Sequence, residues 1–159
     1  MRAEFKGLVG LNTFEFVDIV PDGVNVVSAR WVFAWKVDKD GNIVKPKARL
    51  VARGFSQVHT VDFLETYAPT PAASSVKLLV AIAVKNDWEL RQLDVKQAFI
   101  QADLDFNVFM KLPDGCGDKS GKVVKLNKSV YSLKQADRRW AMHLRDVIVR
   151  KGFSEYLSS

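Results

Sequence analysis

VVSARWVFAWKVDKDGNIVKPKARLVARGF, residues 26–55, is the stretch whose reading decides the fold. Val26–Val37 is dense in β-branched and aromatic residues, which suit a pleated strand. Asp38-Lys39-Asp40-Gly41 follows, a turn sequence of the type that joins antiparallel strands. Asn42–Phe55 then reads as the returning strand, so the stretch is a β-hairpin. It is also basic: from Lys36 to Arg53 six Lys/Arg stand against two Asp. Charge alone would suggest only a solvated face.

Upstream, Phe14, Phe16 and Val17 begin a strand and Pro21-Asp22-Gly23 marks a turn. The remainder of residues 1–25 is mixed. Downstream, residues 56–73 read as loop, punctuated by Pro69 and Pro71. Ser74 or Ser75 can cap a helix whose apolar positions Val76, Leu79, Val80 and Ala83 recur at helical spacing to about Asn86. Trp88–Val95 reads as a buried strand, Lys96–Leu104 as a short helix or turn, and Val108–Leu112 as a strand ended by Pro113-Asp114-Gly115. Val123–Leu126 is a further strand. An amphipathic helix over about 133–151 follows, with Ala136, Trp140, Leu144, Val147 and Ile148 as its stripe and Gly152 as its stop. The order of elements predicts an α+β fold, not a doubly wound sheet.

Hydrophobic residues make up 48% of the 159, enough for a core and too many for wholesale disorder. The net charge of +6 is unevenly spread. Lys119–Lys151 carries ten Lys/Arg and two Asp, whereas Gly54–Asp118 carries five Lys/Arg and nine Asp/Glu. Two basic blocks around an acidic middle suit a protein that grips phosphates and holds a divalent cation. Cys116 is the single cysteine, so no internal disulfide forms and an intracellular, cytoplasmic setting is expected. No apolar run approaches membrane-spanning length, and no membrane partner is expected. His59, His143 and Cys116 have no metal-ligand spacing and receive no role.

Asp94 is the sharpest single feature. Leu93-Asp94-Val95-Lys96-Gln97-Ala98-Phe99 sets a carboxylate at the end of the expected buried strand. A carboxylate there is costly unless it is paired or binds a cation. Taken alone, an aspartate at a strand end is more often a turn or cap residue.

Four stretches together resemble the copia-type retrotransposon reverse transcriptase family. They are Arg30-Trp31-Val32-Phe33 through Lys36; Lys47-Ala48-Arg49-Leu50-Val51-Ala52-Arg53-Gly54-Phe55-Ser56-Gln57; Gln92 through Phe99; and Leu126 through Tyr131 with Leu133-Lys134-Gln135-Ala136 and Trp140. Glu65-Thr66-Tyr67-Ala68-Pro69 matches the linking segment. The resemblance implies one partial domain over 1–159, fingers-like over about 26–91 and partial palm over 92–159. The implied fold is the fingers and partial palm of a right-hand polymerase, an incomplete antiparallel sheet packed with helices. Asp94 takes the place of a catalytic, metal-binding aspartate, with the Val95 carbonyl as a second oxygen ligand and Mg2+ as the cofactor. In the two-metal mechanism the ions activate the primer hydroxyl and clamp the triphosphate.

The other roles follow the same resemblance. Arg49 takes the place of the fingers arginine that grips the triphosphate; Lys47 and Lys36 are weaker candidates, equally readable as surface lysines. Phe99 stands where a ring lies under the nucleotide sugar, or else is a core aromatic. Tyr131 through Ala136 matches a segment against nucleotide and template, with Tyr131 otherwise a core aromatic at a helix start. Lys134, Arg138 and Arg139 could touch nucleic-acid backbone, or keep one helix face soluble. The implied partners are an RNA or DNA template-primer and deoxynucleotides, in a cytoplasmic particle.

Several positions depart from the family. Its paired-aspartate motif lies downstream of the long helix, and the 159 residues contain no two adjacent acidic residues. The expectation is a reverse transcriptase fragment inactive on its own. Two other readings stand beside it: a non-catalytic nucleic-acid-binding module, and a functionless transposon remnant. Glycine is common in the family where Ala102 and Ser132 stand, and proline where Asp137 stands.

Overall fold

Val26–Val37 (β2) and Ile43–Ala52 (β3) form the expected hairpin in a computed structural model of the chain, which describes residues 1–154. The turn between them closes on Asp38. Its carboxylate accepts from the backbone N–H groups of Asp40 and Asn42 at 2.9 and 2.8 Å, and its own N–H donates to the Asn42 carbonyl. These bonds favour the charged form and hold the Asp38 carboxyl below the usual carboxylate range. Gly41 supplies the positive φ of 84° that the turn needs.

The hairpin belongs to a five-stranded sheet of order β1-β5-β4-β2-β3, where β1 is Phe14–Phe16, β4 Asp103–Lys111 and β5 Val123–Lys128. Three pairings are antiparallel, but Val26–Ser28 of β2 runs parallel to Phe109–Lys111 of β4. The sheet is therefore mixed, not antiparallel as the sequence suggested. The cause is connectivity. The chain leaves β3 and spends residues 53–102 on loops and a helix before β4, a connection long enough to cross over and re-enter at the same end.

The core lies under the part of the sheet where the strands overlap. Val27, Leu50, Val108, Met110, Leu112, Val124, Leu126 and Val130 are buried there. The far half of the hairpin has no strand beyond it and projects from the sheet. Its residues are exposed, with Trp35 at 65%.

Among the described residues three α-helices accompany the sheet. Arg2–Gly10 (α1) lies against β3 and buries Leu8, with Phe5 against the core. The sequence reading left this segment mixed because Gly7 and Gly10 weaken the helical signal. Ala136–Arg150 (α3) sits on the turn Ala98–Gln101 and on β4. It starts later than predicted, because residues 133–135 still form tight turns, with the Leu133 N–H donating to the Val130 carbonyl and the Ala136 N–H to the Leu133 carbonyl at 3.1 Å. Ala73–Lys85 (α2) forms where predicted but packs on no sheet, and Ala83 alone is buried in it. The expectation of helices packed throughout is corrected at α2.

Trp88–Val95 is not a strand. It is irregular and exposed, with Leu93 at 89%. A strand exists only where its backbone groups find a partner. β1 and β3 are edge strands, but among the described residues this segment bonds to neither; its one backbone bond runs from the Trp88 N–H to the Ala83 carbonyl at 2.8 Å, at the end of α2.

Candidate nucleotide and nucleic-acid site

The two-residue period of a strand decides which hairpin side chains share a face. In the observed register Arg30 faces Val51, Val32 faces Arg49, Ala34 faces Lys47 and Lys36 faces Lys45. Opposed residues share a face, so Arg30, Lys36, Lys45, Lys47 and Arg49 all lie on one side of the ribbon. The other side carries Trp31, Phe33 and Trp35 against Leu50, Ala48 and Pro46. The basic block of the sequence is thus a single-signed face.

At its inner end this face meets a cleft of about 430 Å3 lined by Glu4, Lys47, Arg49, Asp94, Val95, Lys96, Gln97 and Tyr131. Five predicted site residues, distant in sequence, converge there: Lys47, Arg49, Asp94, Val95 and Tyr131. Tyr131 is carried to β3 by a bridge with Val51 and by the bond from the Ala52 N–H to the Tyr131 carbonyl, 3.0 Å. The Arg49 guanidinium carbon lies 5.5 Å from the Tyr131 ring centre. Such a contact orients the guanidinium and leaves its N–H groups for other acceptors. Arg49 Nε is buried and has no hydrogen-bond partner among the described residues. A buried donor without an acceptor is a costly arrangement that an anion would relieve.

Phe99 does not line the cleft. It meets Tyr131 edge to face, with ring centres 5.4 Å apart and planes at 90°, and packs against the core. Lys36 lies on the basic face further out along the ribbon, beyond Lys47.

Asp94 is exposed, and its carboxylate makes no hydrogen bond or ion pair among the described residues. The Val95 carbonyl likewise accepts no hydrogen bond. Two adjacent, uncommitted oxygens suit a hard cation such as Mg2+ when water and phosphate oxygens complete its shell. Among the described residues no three His, Cys, Asp or Glu converge to hold a metal. The fit therefore extends to one ion shared with a ligand, not to a pair.

The helix-borne cations are differently placed. Arg138 pairs with Glu65 at 2.7 Å and approaches Asp105 at 3.9 Å. Arg139 donates to the Asp103 carbonyl at 2.8 Å and pairs with Asp105 at 3.3 Å. Both therefore hold α3 to the loop before α2 and to β4. Lys134 is exposed, its ammonium 5.1 Å from the Phe63 ring centre. Lys128 binds Asp103 at 2.6 Å, and this bond above all holds the Asp103 carboxyl below the usual carboxylate range.

Sequence reasoning missed the network that fixes the backbone at Lys134. Gln57 Nε2 donates to Gln135 Oε1 at 2.9 Å, while Gln57 Oε1 accepts from the Lys134 N–H at 2.8 Å. Gln135 Nε2 donates to the Asp62 carbonyl at 2.8 Å, and the Asp62 carboxylate accepts from Asn25 and the Val58 N–H. Gln57, Asp62 and Gln135 are all buried. Gln57 and Gln135 stood inside the quoted stretches, but nothing in their spacing shows that they bond to each other. Glu4 was also missed, with the helix that carries it. The spacing of Phe5, Leu8 and Val9 was the available signal.

No helix among the described residues is long and apolar enough to cross a membrane. Comparison with known proteins follows the same residues. The profile of the family described as reverse transcriptase (RNA-dependent DNA polymerase) matches residues 11–158. The chain is 38% identical over 160 residues to the retrovirus-related Pol polyprotein from transposon RE1 of Arabidopsis thaliana, covering 99% of this chain and 11% of that protein. It is 40% identical over 144 residues to the Pol polyprotein from transposon TNT 1-94 of Nicotiana tabacum, covering 89% of this chain and 11% of that protein. The transposon Ty1-ER2 Gag-Pol polyprotein of Saccharomyces cerevisiae is 27% identical over 135 residues, 82% of this chain and 7% of that protein. No solved structure matches the chain. The chain spans about 11% of the length of the plant relatives. A profile match over nearly all residues, and similarity to part of plant retrotransposon Pol polyproteins at this identity, lead to one conclusion: the chain belongs to the reverse transcriptase family.

Proposed function

We propose that this chain forms the fingers and the first part of the palm of a right-hand polymerase, and that its cleft is the nucleotide end of the active site. The observation that carries the reading is the convergence of Lys47, Arg49, Asp94, Val95 and Tyr131 on one cleft. Lys47 and Arg49 take the phosphates of a deoxynucleotide, the planar guanidinium matching phosphate oxygens with two N–H donors. The buried Nε of Arg49, unpartnered among the described residues, supports this role. Asp94 and the Val95 carbonyl hold Mg2+, which when bound neutralises phosphate charge and polarises the phosphoryl group. Tyr131 keeps Arg49 oriented. Phe99 backs Tyr131 from the core side.

The template-primer, RNA or DNA, lies along the basic face of the hairpin and toward Lys134. Arg138 and Arg139 touch its backbone only by sharing their present carboxylate partners. In a whole polyprotein the work is RNA-directed DNA synthesis in a cytoplasmic particle. The 159 residues alone bind but do not polymerise, because they contain no adjacent acidic pair. The test is calorimetric titration of a deoxynucleoside triphosphate with magnesium, alongside primer extension. Binding lost in Arg49→Ala and weakened in Asp94→Asn, without extension, is the expected result. Equal binding by the Arg49→Ala variant would remove the reading.

A second reading, backbone binding without any nucleotide site, is favoured by the single-signed ribbon face. It predicts steep salt dependence on nucleic acid with no binding of the free triphosphate.

A further inference from the structure

Helix α1 precedes the residues matched by the family profile, yet it contributes a side chain to the cleft. Glu4 lies one turn before Leu8 on the same face of the helix. Leu8 is buried in the core, and Phe5 packs against it with its ring 5.8 Å from that of Phe14. The helix is anchored, so Glu4 is held half-buried at the cleft and not free to swing into water. Its carboxylate makes no ion pair or hydrogen bond among the described residues, although Lys47 and Arg49 line the same cleft. Its charge is therefore not cancelled at contact distance by either cation.

An anion placed against Lys47 and Arg49 must share this cleft with Glu4. Repulsion between partly buried like charges is screened less than at an open surface. A polyphosphate that brings a divalent cation carries less charge and meets less of this repulsion. We propose that Glu4 is a specificity-determining residue that makes the cleft discriminate against cation-free polyphosphate in favour of the cation-bound form. The proposal rests on the reading of the cleft as a phosphate site. Glu4 also stands in the first turn of α1, where a carboxylate suits the helix dipole. That role alone would affect folding stability but not the choice between two forms of a ligand.

The experiment titrates the 159-residue chain with inorganic tripolyphosphate at fixed ionic strength, with and without saturating magnesium. It compares wild type, Glu4→Gln, Glu4→Ala and Arg49→Ala, each checked for folding by circular dichroism. Both Glu4 variants should bind metal-free tripolyphosphate about three- to tenfold more tightly, and the magnesium-bound form within about twofold of wild type. Using two replacements separates lost charge from altered packing. The proposal is overturned if both variants match wild type without metal, or if they tighten equally in both conditions, while Arg49→Ala still abolishes binding. If Arg49→Ala instead binds like wild type, the phosphate reading itself fails and the proposal with it.

Discussion

Ser132 holds a left-handed backbone at φ 66°, and its carbonyl oxygen is only 2.0 Å from where a Cβ on Gly54 would stand. The two positions form one close crossing between the end of β3 and the segment carrying Tyr131. Glycine tolerates the left-handed region without the Cβ clash that serine suffers. Ser132→Gly should therefore stabilise the chain by up to ~1 kcal/mol, read as a rise in the thermal midpoint. Gly54→Ala should destabilise it by about 2–3 kcal/mol, because backbone would have to move. The same crossing depends on Gln135. Gln135→Leu leaves Gln57 Nε2 and the Asp62 carbonyl without partners, with an expected loss of about 2–3 kcal/mol in urea unfolding. At this scale the sequence was informative where a residue's chemistry is scarce in its setting. Asp94 among apolar neighbours stood out that way, whereas Arg49 stood out only through the family resemblance. Gln57 and Gln135 are unremarkable until the fold sets their amides 2.9 Å apart across 78 positions of chain.

Elements were legible where local pattern and tertiary pairing agree. The hairpin was, because a turn sequence sits between two strand-formers and the returning strand has its partner at once. Trp88–Val95 was not, because apolar β-formers make a strand only when their backbone pairs with a neighbour, and among the described residues this segment pairs with no strand. α2 has the right period but no surface to pack on, and its apolar residues Val76, Leu78, Leu79 and Val80 are exposed. Few buried contacts mean easy local opening. The amides of residues 73–95 should exchange with deuterium well before those of β4 and β5, whose Val108, Met110 and Val124 are fully buried. Protection of α2 equal to that of β5 would contradict this.

Ion pairs tie α3 and β5 to the start of β4, which gives that junction a pH dependence. The Asp103 carboxyl is held low by its bond to Lys128, so its folded pKa lies below its unfolded one. The sign follows from linkage: the stabilisation is present above the unfolded value and is lost as pH falls through the folded one. Asp103 is largely exposed, so its share should stay below ~1 kcal/mol. Asp103→Asn should flatten the acid limb of a stability-against-pH curve by that amount and leave neutral-pH behaviour otherwise intact.

For the molecule as a whole, charge placement decides how it meets a polyanion. Lys47, Lys45, Lys36 and Arg30 share one ribbon face without ion-pair partners among the described residues. Arg138 and Arg139 are already committed to Glu65 and Asp105. Counterion release scales with the number of phosphates newly neutralised, not with the number of cations in the sequence. On single-stranded nucleic acid, each ribbon lysine changed to alanine should lower the slope of log affinity against log salt by about 0.7, whatever the sequence bound. Arg138→Ala should change that slope much less and should instead lower the thermal midpoint, since it breaks an internal pair. Fluorescence anisotropy across a salt series reads both quantities from one preparation. A larger slope change from Arg138 than from Lys45 or Lys47 would mean that the helix, not the ribbon, carries the nucleic acid, and that its ion pairs open on binding.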